Sequence, residues 1–256
     1  MKAACWNVNS INSRLERALA FLERHRPDVL CLQELKCSED KFPFDAFKNA
    51  GYHCYIHGQK TYNGVALISA RPLTDVRTGF IDGVKDDDSR FISGKLDGVN
   101  FLCGYIPNGQ SVGADKYYFK LNWLDRLRRH LEAEYRKTDN VVLVGDFNIA
   151  QEDIDVADPD GWRGKILCSQ KERDALTAIR KFGLEDCFRI KFPQTVEYTW
   201  WDYRSLGFQK NLGLRIDLIF ATPPMVERLE RIYVDRDERK GEKPSDHAPI
   251  IAEFKF

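Results

Sequence analysis

Asp146-Phe147-Asn148 follows directly on the apolar run Val141-Val142-Leu143-Val144-Gly145, and Ser245-Asp246-His247-Ala248-Pro249 directly precedes the last apolar run of the chain. A carboxylate in the first motif can take a proton from water. The amide two residues on cannot compete for that proton, but it can position the water or donate to a developing oxyanion. If the strand continues through this motif, the two polar side chains share one face and Phe147 turns to the core. A Gly-Asp-Phe-Asn turn that only ends a strand accounts for the motif equally well when it is taken alone.

His247 is the only one of five histidines flanked by an acid and near a proline at the mouth of an apolar run. A carboxylate on one ring nitrogen would favour imidazolium, whose two donors suit a phosphate oxygen. Asp217 is the candidate partner. It interrupts the run Leu214 to Phe220, where a lone buried acid is costly without a hydrogen-bonded cation. Asn7 and Glu34 end two further apolar runs, so the set as a whole is rich in oxygen ligands and suits a hard cation such as magnesium. Glu34 is the first choice as direct ligand. Asn7, Asp146, Asn148 and Asp246 are candidates to complete the inner or outer shell, and spacing does not rank them.

These residues need rigid elements to hold them. Short apolar runs predict strands at Ala3 to Trp6, Val29 to Leu32 and Val65 to Ile68, and a pair about the turn Asp97-Gly98. Further strands are expected at Tyr198 to Trp201, Leu214 to Phe220, Leu229 to Val234 and Ala248 to Phe254. Leu15, Ala18, Leu19 and Leu22 keep the spacing of one buried helix face, and Leu121, Leu124, Leu127 and Leu131 give a stripe to a helix from about Asp115 to Arg136. Another helix is expected from about Ser169 to Phe182. Helices do not alternate strictly with strands, which points to mixed sheets packed on each other with helices outside. No linker or repeat divides residues 1–256, so one domain is expected.

Hydrophobic content of 43% supplies a large core, and balanced charges (39 Lys and Arg against 39 Asp and Glu) mean that a polyanionic partner would have to be met by local clusters. Seven cysteines without a C-x-x-C pair fit reduced thiols, and Cys31 and Cys103 read as small buried hydrophobes. No apolar run approaches a membrane span, and the expected setting is the cytoplasm. There is no Ser/His/Asp or Cys/His nucleophile pattern and no phosphate-binding G-x-x-x-x-G-K-[ST] loop.

Eight pieces spread along the chain resemble the exonuclease III family of DNA repair nucleases, within the endonuclease/exonuclease/phosphatase fold. They are Trp6-Asn7-Val8-Asn9-Ser10-Ile11, Leu32-Gln33-Glu34-Leu35-Lys36, Tyr62-Asn63-Gly64-Val65-Ala66, Tyr105-Ile106-Pro107-Asn108-Gly109, Gly145-Asp146-Phe147-Asn148, Tyr198-Thr199-Trp200-Trp201-Asp202-Tyr203, Leu214-Arg215-Ile216-Asp217 and Ser245-Asp246-His247. The resemblance implies a four-layered α-β-β-α sandwich with two mixed sheets face to face. It also implies magnesium-dependent attack of water on a DNA phosphodiester, with manganese as a substitute ion, in a monomer that acts on double-stranded DNA at 3′ ends or abasic sites.

Carried over by position, Glu34 with Asn7 binds the metal, Asp146 activates the water, and Asn148 steadies the phosphate. Tyr105 assists the phosphate or the leaving oxygen, and His247, held by Asp217, contacts the phosphate, with Asp246 in the same metal and phosphate network. Asn9, Arg90 and Asn108 match DNA-backbone contacts, and Trp200 matches the wall against which a deoxyribose packs. Trp201 beside it is the better core candidate.

One stretch departs from the pattern. Relatives that cut at abasic sites carry asparagines and a small residue ahead of a helix bearing Glu-Arg, where this chain has Trp162, Lys165 and Leu167 before Glu172-Arg173. A bulky Leu there would crowd an extruded sugar, whereas a frayed 3′ end needs no extrusion. Removal of 3′-terminal nucleotides and blocking groups is therefore expected, with abasic-site incision weaker. The alternatives are a phosphatase or phosphodiesterase of the same fold on a non-DNA substrate, and a non-catalytic DNA-binding module.

Overall fold

The computed structural model describes residues 1–84 and 86–256. Among the described residues twelve strands form two six-stranded sheets. The first sheet contains β1 (Lys2–Asn7), β2 (Val29–Gln33), β3 (His53–His57), β4 (Val65–Ser69), β11 (Leu229–Val234) and β12 (Ile250–Phe254), in the order β11-β12-β1-β2-β4-β3. The second contains β5 (Thr74–Thr78), β6 (Phe91–Leu96), β7 (Val99–Tyr105), β8 (Val141–Asp146), β9 (Glu185–Asp186) and β10 (Asp217–Ala221), in the order β5-β6-β7-β8-β10-β9. The helices are α1 (Ile11–His25), α2 (Phe44–Asn49), α3 (Asp115–Glu134), α4 (Pro159–Trp162), α5 (Gln170–Arg180), α6 (Cys187–Lys191) and α7 (Pro223–Val226).

Alternation along the strands explains why both faces of each sheet are buried. Ala3, Cys5, Val29, Cys31, Val65 and Leu67 point between the sheets and meet Phe101, Cys103, Val142, Val144 and Ile219 of the second. Their neighbours Ala4, Trp6, Leu30 and Leu32 face outward and are covered by Ala18, Phe21 and Leu22 of α1. On the far side Leu102, Leu143 and Phe220 are covered by Trp123, Leu124, Leu127 and Leu131 of α3 and by Leu176 and Ile179 of α5. The result is the expected four-layered α-β-β-α sandwich. Both sheets are mixed, because β1 and β2 run parallel across α1, and β7 and β8 run parallel across α3.

Two local expectations are corrected. Tyr198 to Trp201 is not a strand; Trp200 makes single bridges to Leu214 and His247. The strand expected from Leu214 begins only at Asp217, because 214–216 turn away to meet Trp200 and Asp155. Of the two readings left open for Asp146-Phe147-Asn148, the turn is the one found: the strand ends at Asp146 and Asn148 has a left-handed backbone with φ 51°. Short elements without a long apolar signature, such as β3, β5, α2 and α6, were not legible beforehand.

Candidate active site

Strand ends from both sheets meet at one rim of the sandwich. The carboxyl ends of the parallel pairs bring Asn7, Glu34 just past β2, Tyr105 and Asp146 together. β10 runs antiparallel to β8 and β12 antiparallel to β1, so their amino ends deliver Asp217, and with it the 245–249 segment, to the same rim. Asp146 and Asp217 are direct register partners, which sets two acids side by side. Close backbone approach beneath them requires Gly145, where a Cβ would lie 2.0 Å from the Gly104 carbonyl oxygen.

Two neighbouring buried acids need a cation between them. His247 supplies it: Nδ1 lies 2.8 Å from Asp217 Oδ2, and Nε2 lies 3.8 Å from Asp146 Oδ2. Burial by itself would lower the imidazolium, but Asp217 and Asp146 outweigh it and hold His247 raised to about 10. Asp146 is displaced upward, because burial and the charge of Asp217 outweigh His247 and the Asn7 amide. Among the described residues Asp217 Oδ1 is buried without a hydrogen-bond partner.

Asn7 ties the two halves together. Its Nδ2 donates to Glu34 Oε1 at 3.0 Å and to Asp146 Oδ2 at 2.9 Å, while its Oδ1 accepts from the Asn9 N–H at 3.0 Å. Glu34 Oε1 also accepts from the Tyr105 hydroxyl at 2.7 Å, and Oε2 lies 2.9 Å from Lys36 Nζ. Burial would raise this carboxyl, yet Lys36 and the donated hydrogen bonds hold it below the usual carboxylate range. Asp246 accepts from Asn9 Nδ2 at 2.8 Å and Trp200 Nε1 at 3.0 Å, and with His247 these contacts overcome burial and keep it low as well. Burial, then the charges of Glu34 and Asp146, push the Tyr105 phenol well above its ordinary value, so it stays a proton donor.

Asn148 reaches the rim by its left-handed turn rather than by strand continuation. Its N–H donates to Asp146 Oδ1 at 2.9 Å, its Nδ2 to the Ile106 carbonyl at 3.0 Å, and its Oδ1 accepts from Asn108 Nδ2 at 3.2 Å. Phe147 is turned into the core as expected. Arg90 stacks over the Tyr105 ring at 4.8 Å and donates to Asp88 at 2.9 Å.

Glu34, Tyr105, Asp146, Asn148, Asp246 and His247 line a cavity of about 360 Å³ whose other wall holds Trp162, Leu167 and Trp200. Trp162 meets Trp200 edge to face at 6.4 Å, Leu167 has φ 72°, and Trp201 is buried in the core. Lys165 is exposed and stands outside this wall. A second pocket of about 640 Å³ opens beside the first, sharing Glu34, Tyr105 and Asn108 and adding Arg90, Lys36 and Tyr62.

The donor set fits a hard divalent cation. Asp146, Asp217 and His247 bring ligand atoms within 4.8 Å of one another, with His247 Nδ1 and Asp217 Oδ2 already bonded to each other at 2.8 Å. The oxygen atoms of Glu34 and Asp146, both facing the cavity and both held by Asn7, are the better match. Sequence reasoning missed Lys36, Arg204 on the cavity wall, and the buried pair Lys120 and Glu172. Lys120 did leave a signal, because it falls in the buried phase of α3 between Tyr117 and Leu124.

The profile of the Endonuclease/Exonuclease/phosphatase family matches residues 4–247. Exodeoxyribonuclease III of Haemophilus influenzae is 36% identical, with all of both chains covered. The chain belongs to the exodeoxyribonuclease III branch of the endonuclease/exonuclease/phosphatase family. Solved members of this family superpose closely over the full length of both chains. A 3′ phosphatase from Neisseria, NExo, solved as an Asp-to-Asn variant bound to a product DNA hairpin, has TM-score 0.97 and 42% identity. An AP endonuclease from Archaeoglobus fulgidus has TM-score 0.97 and 39% identity. Divalent-metal dependence is general in the family, in keeping with the oxygen-rich rim. Among the described residues no helix is long and apolar enough to cross a membrane.

Proposed function

We propose that residues 1–256 act as one domain and form a magnesium-dependent DNA repair nuclease that removes nucleotides and blocking groups from 3′ ends of duplex DNA, with manganese able to replace magnesium. The observation that carries this reading is the convergence of Glu34, Asp146, Asn148, Asp217 and His247 on one rim, with Asn7 tying Glu34 to Asp146. The relatives support the substrate class: one is an exodeoxyribonuclease, one an AP endonuclease, and one a 3′ phosphatase that holds a DNA product.

A magnesium ion bound here supplies charge neutralisation at the phosphate. Glu34 would hold it, with Asn7 fixing the Glu34 carboxylate and Lys36 keeping it ionised. Asp146 accepts a proton from the attacking water, and its upward displacement suits a base near neutral pH. Asn148 Nδ2 positions that water or steadies a phosphoryl oxygen, and His247 donates from Nε2 to another. Asp217 keeps His247 charged and fixes which nitrogen faces the substrate. The Tyr105 phenol donates toward the phosphate or the leaving oxygen. Asn9, Arg90 and Asn108 contact the DNA backbone, and Trp200 packs on the deoxyribose.

Leu167 and Trp162 narrow the cavity that would receive an extruded sugar, so incision at internal abasic sites is the weaker activity. The test uses purified protein with magnesium or a chelator, and end-labelled duplexes bearing a recessed 3′ end, a 3′-phosphate or an internal abasic analogue. Metal-dependent processing of the two 3′ substrates in preference to the third is expected. No metal-dependent cutting of any duplex would refute the reading in favour of a phosphatase or phosphodiesterase on another substrate.

A further inference from the structure

A lysine and a glutamate lie fully buried behind the catalytic turns, where neither touches the cavity. Lys120 Nζ donates to the backbone carbonyls of Asn148 at 2.7 Å and Asn108 at 3.2 Å, and its remaining donor goes to the Glu172 carboxylate. Glu172 in turn accepts from the N–H of Leu167 at 3.1 Å, and from the N–H of Ser169 at 3.0 Å and its hydroxyl at 2.6 Å. The lysine stem is closely fitted too, since a Cβ on Gly109 would approach Lys120 Cδ to 3.2 Å.

Three segments distant in sequence are thereby fixed to one ammonium: the turn with Asn108, the turn with Asn148, and the stretch carrying Leu167. Asn148 and Leu167 both have positive φ, at 51° and 72°. Such conformations cost free energy in non-glycine residues and persist only where surrounding contacts impose them. The ordinary structural account of a buried ion pair is weak, because an apolar pair of similar volume is often as stable. An apolar pair, however, offers nothing to the two carbonyls.

We propose that Lys120, anchored by Glu172, is a positioning residue for the reaction: it fixes the Asn148 turn so that the Asn148 amide meets the reacting phosphate, and it sets the Leu167 wall of the cavity. This rests on the nuclease reading above. A shift of the amide by about 1 Å costs on the order of 10- to 100-fold in turnover.

The test compares wild type, Lys120→Met and the charge-balanced Lys120→Met/Glu172→Gln protein, each also in an Asn148→Ala background. Single-turnover cleavage of a recessed 3′ end is measured with magnesium, and folding is checked by near-ultraviolet circular dichroism. In the double variant we expect a loss of roughly tenfold or more in the saturating single-turnover rate, with little change in the half-saturating enzyme concentration. In the Asn148→Ala background the same substitutions should cost less than about twofold, since the amide they position is already gone. Equal losses in both backgrounds, or no loss in either, would overturn the proposal. Failure of both variants to reach the native spectrum would overturn it as well, since the pair would then serve the fold as a whole. An inactive wild type would instead refute the nuclease reading itself.

Discussion

Asp146→Asn removes the proton acceptor, and one charged oxygen facing the metal position, while keeping the size of the side chain. The substitution keeps the shape of the side chain and the oxygen that accepts the Asn148 N–H, now at 2.9 Å. Its new amide nitrogen would face Asn7 Nδ2 and Asn148 Nδ2, which donate to Asp146 Oδ2 at 2.9 and 3.3 Å, so donors oppose each other and two hydrogen bonds are lost. Removing the buried charge also removes its desolvation cost, which offsets that loss. Folding stability is therefore expected to change by no more than about 1 kcal/mol. The rate is a different matter. A positioned general base contributes roughly 10²- to 10⁴-fold, equivalent to about 3–5 kcal/mol of barrier. Single-turnover cleavage of an end-labelled recessed duplex, with binding measured separately by fluorescence anisotropy, should show at least a ~100-fold slower chemical step with DNA affinity retained. A folded variant within about tenfold of wild type would refute the assignment of Asp146 as the base.

Further substitutions probe the other parts. Leu167→Gly should raise abasic-site incision relative to 3′-end removal on paired duplex substrates, and an unchanged ratio would end the steric argument for this wall. Glu34→Gln should weaken manganese binding by roughly tenfold or more in a calorimetric titration without DNA, because a carboxylate that Lys36 and the hydrogen bonds from Asn7 and Tyr105 keep charged is replaced by a neutral amide. Asp217→Ala leaves the imidazolium of His247 without its partner in a buried site, which should cost on the order of 3–5 kcal/mol in urea unfolding; a cost below about 1 kcal/mol would mean that His247 is not held charged. Gly145→Ala, which drives a Cβ into the Gly104 carbonyl, should destabilise the protein by about 3 kcal/mol or more in the same assay.

The sequence by itself determined the strands with continuous apolar runs and the helices with a repeating stripe, because a strand buried on both faces and an amphipathic helix each carry their period locally. It also marked out Asp146, Asn148, Asp217 and His247, since polar groups at the ends of apolar runs are conspicuous. The pairing of Asp217 with His247 followed from the cost of a lone buried acid. What the sequence could not supply was anything that depends on two distant segments meeting. For Asn148 the sequence left a continuing strand and a turn equally open, and only the fold shows that a left-handed turn, tethered through its carbonyl to Lys120, aims it. Asn7 could be named a metal-site candidate, but its role as the bridge between Glu34 and Asp146 requires β1, β2 and β8 to end at one rim. Lys165 stood with Trp162 and Leu167 in sequence, yet the short helix α4 and the turn after it carry only the other two into the cavity wall. Periodicity and residue type are local properties, whereas convergence at the rim arises from the parallel and antiparallel pairing of strands far apart in the chain, which tertiary packing decides.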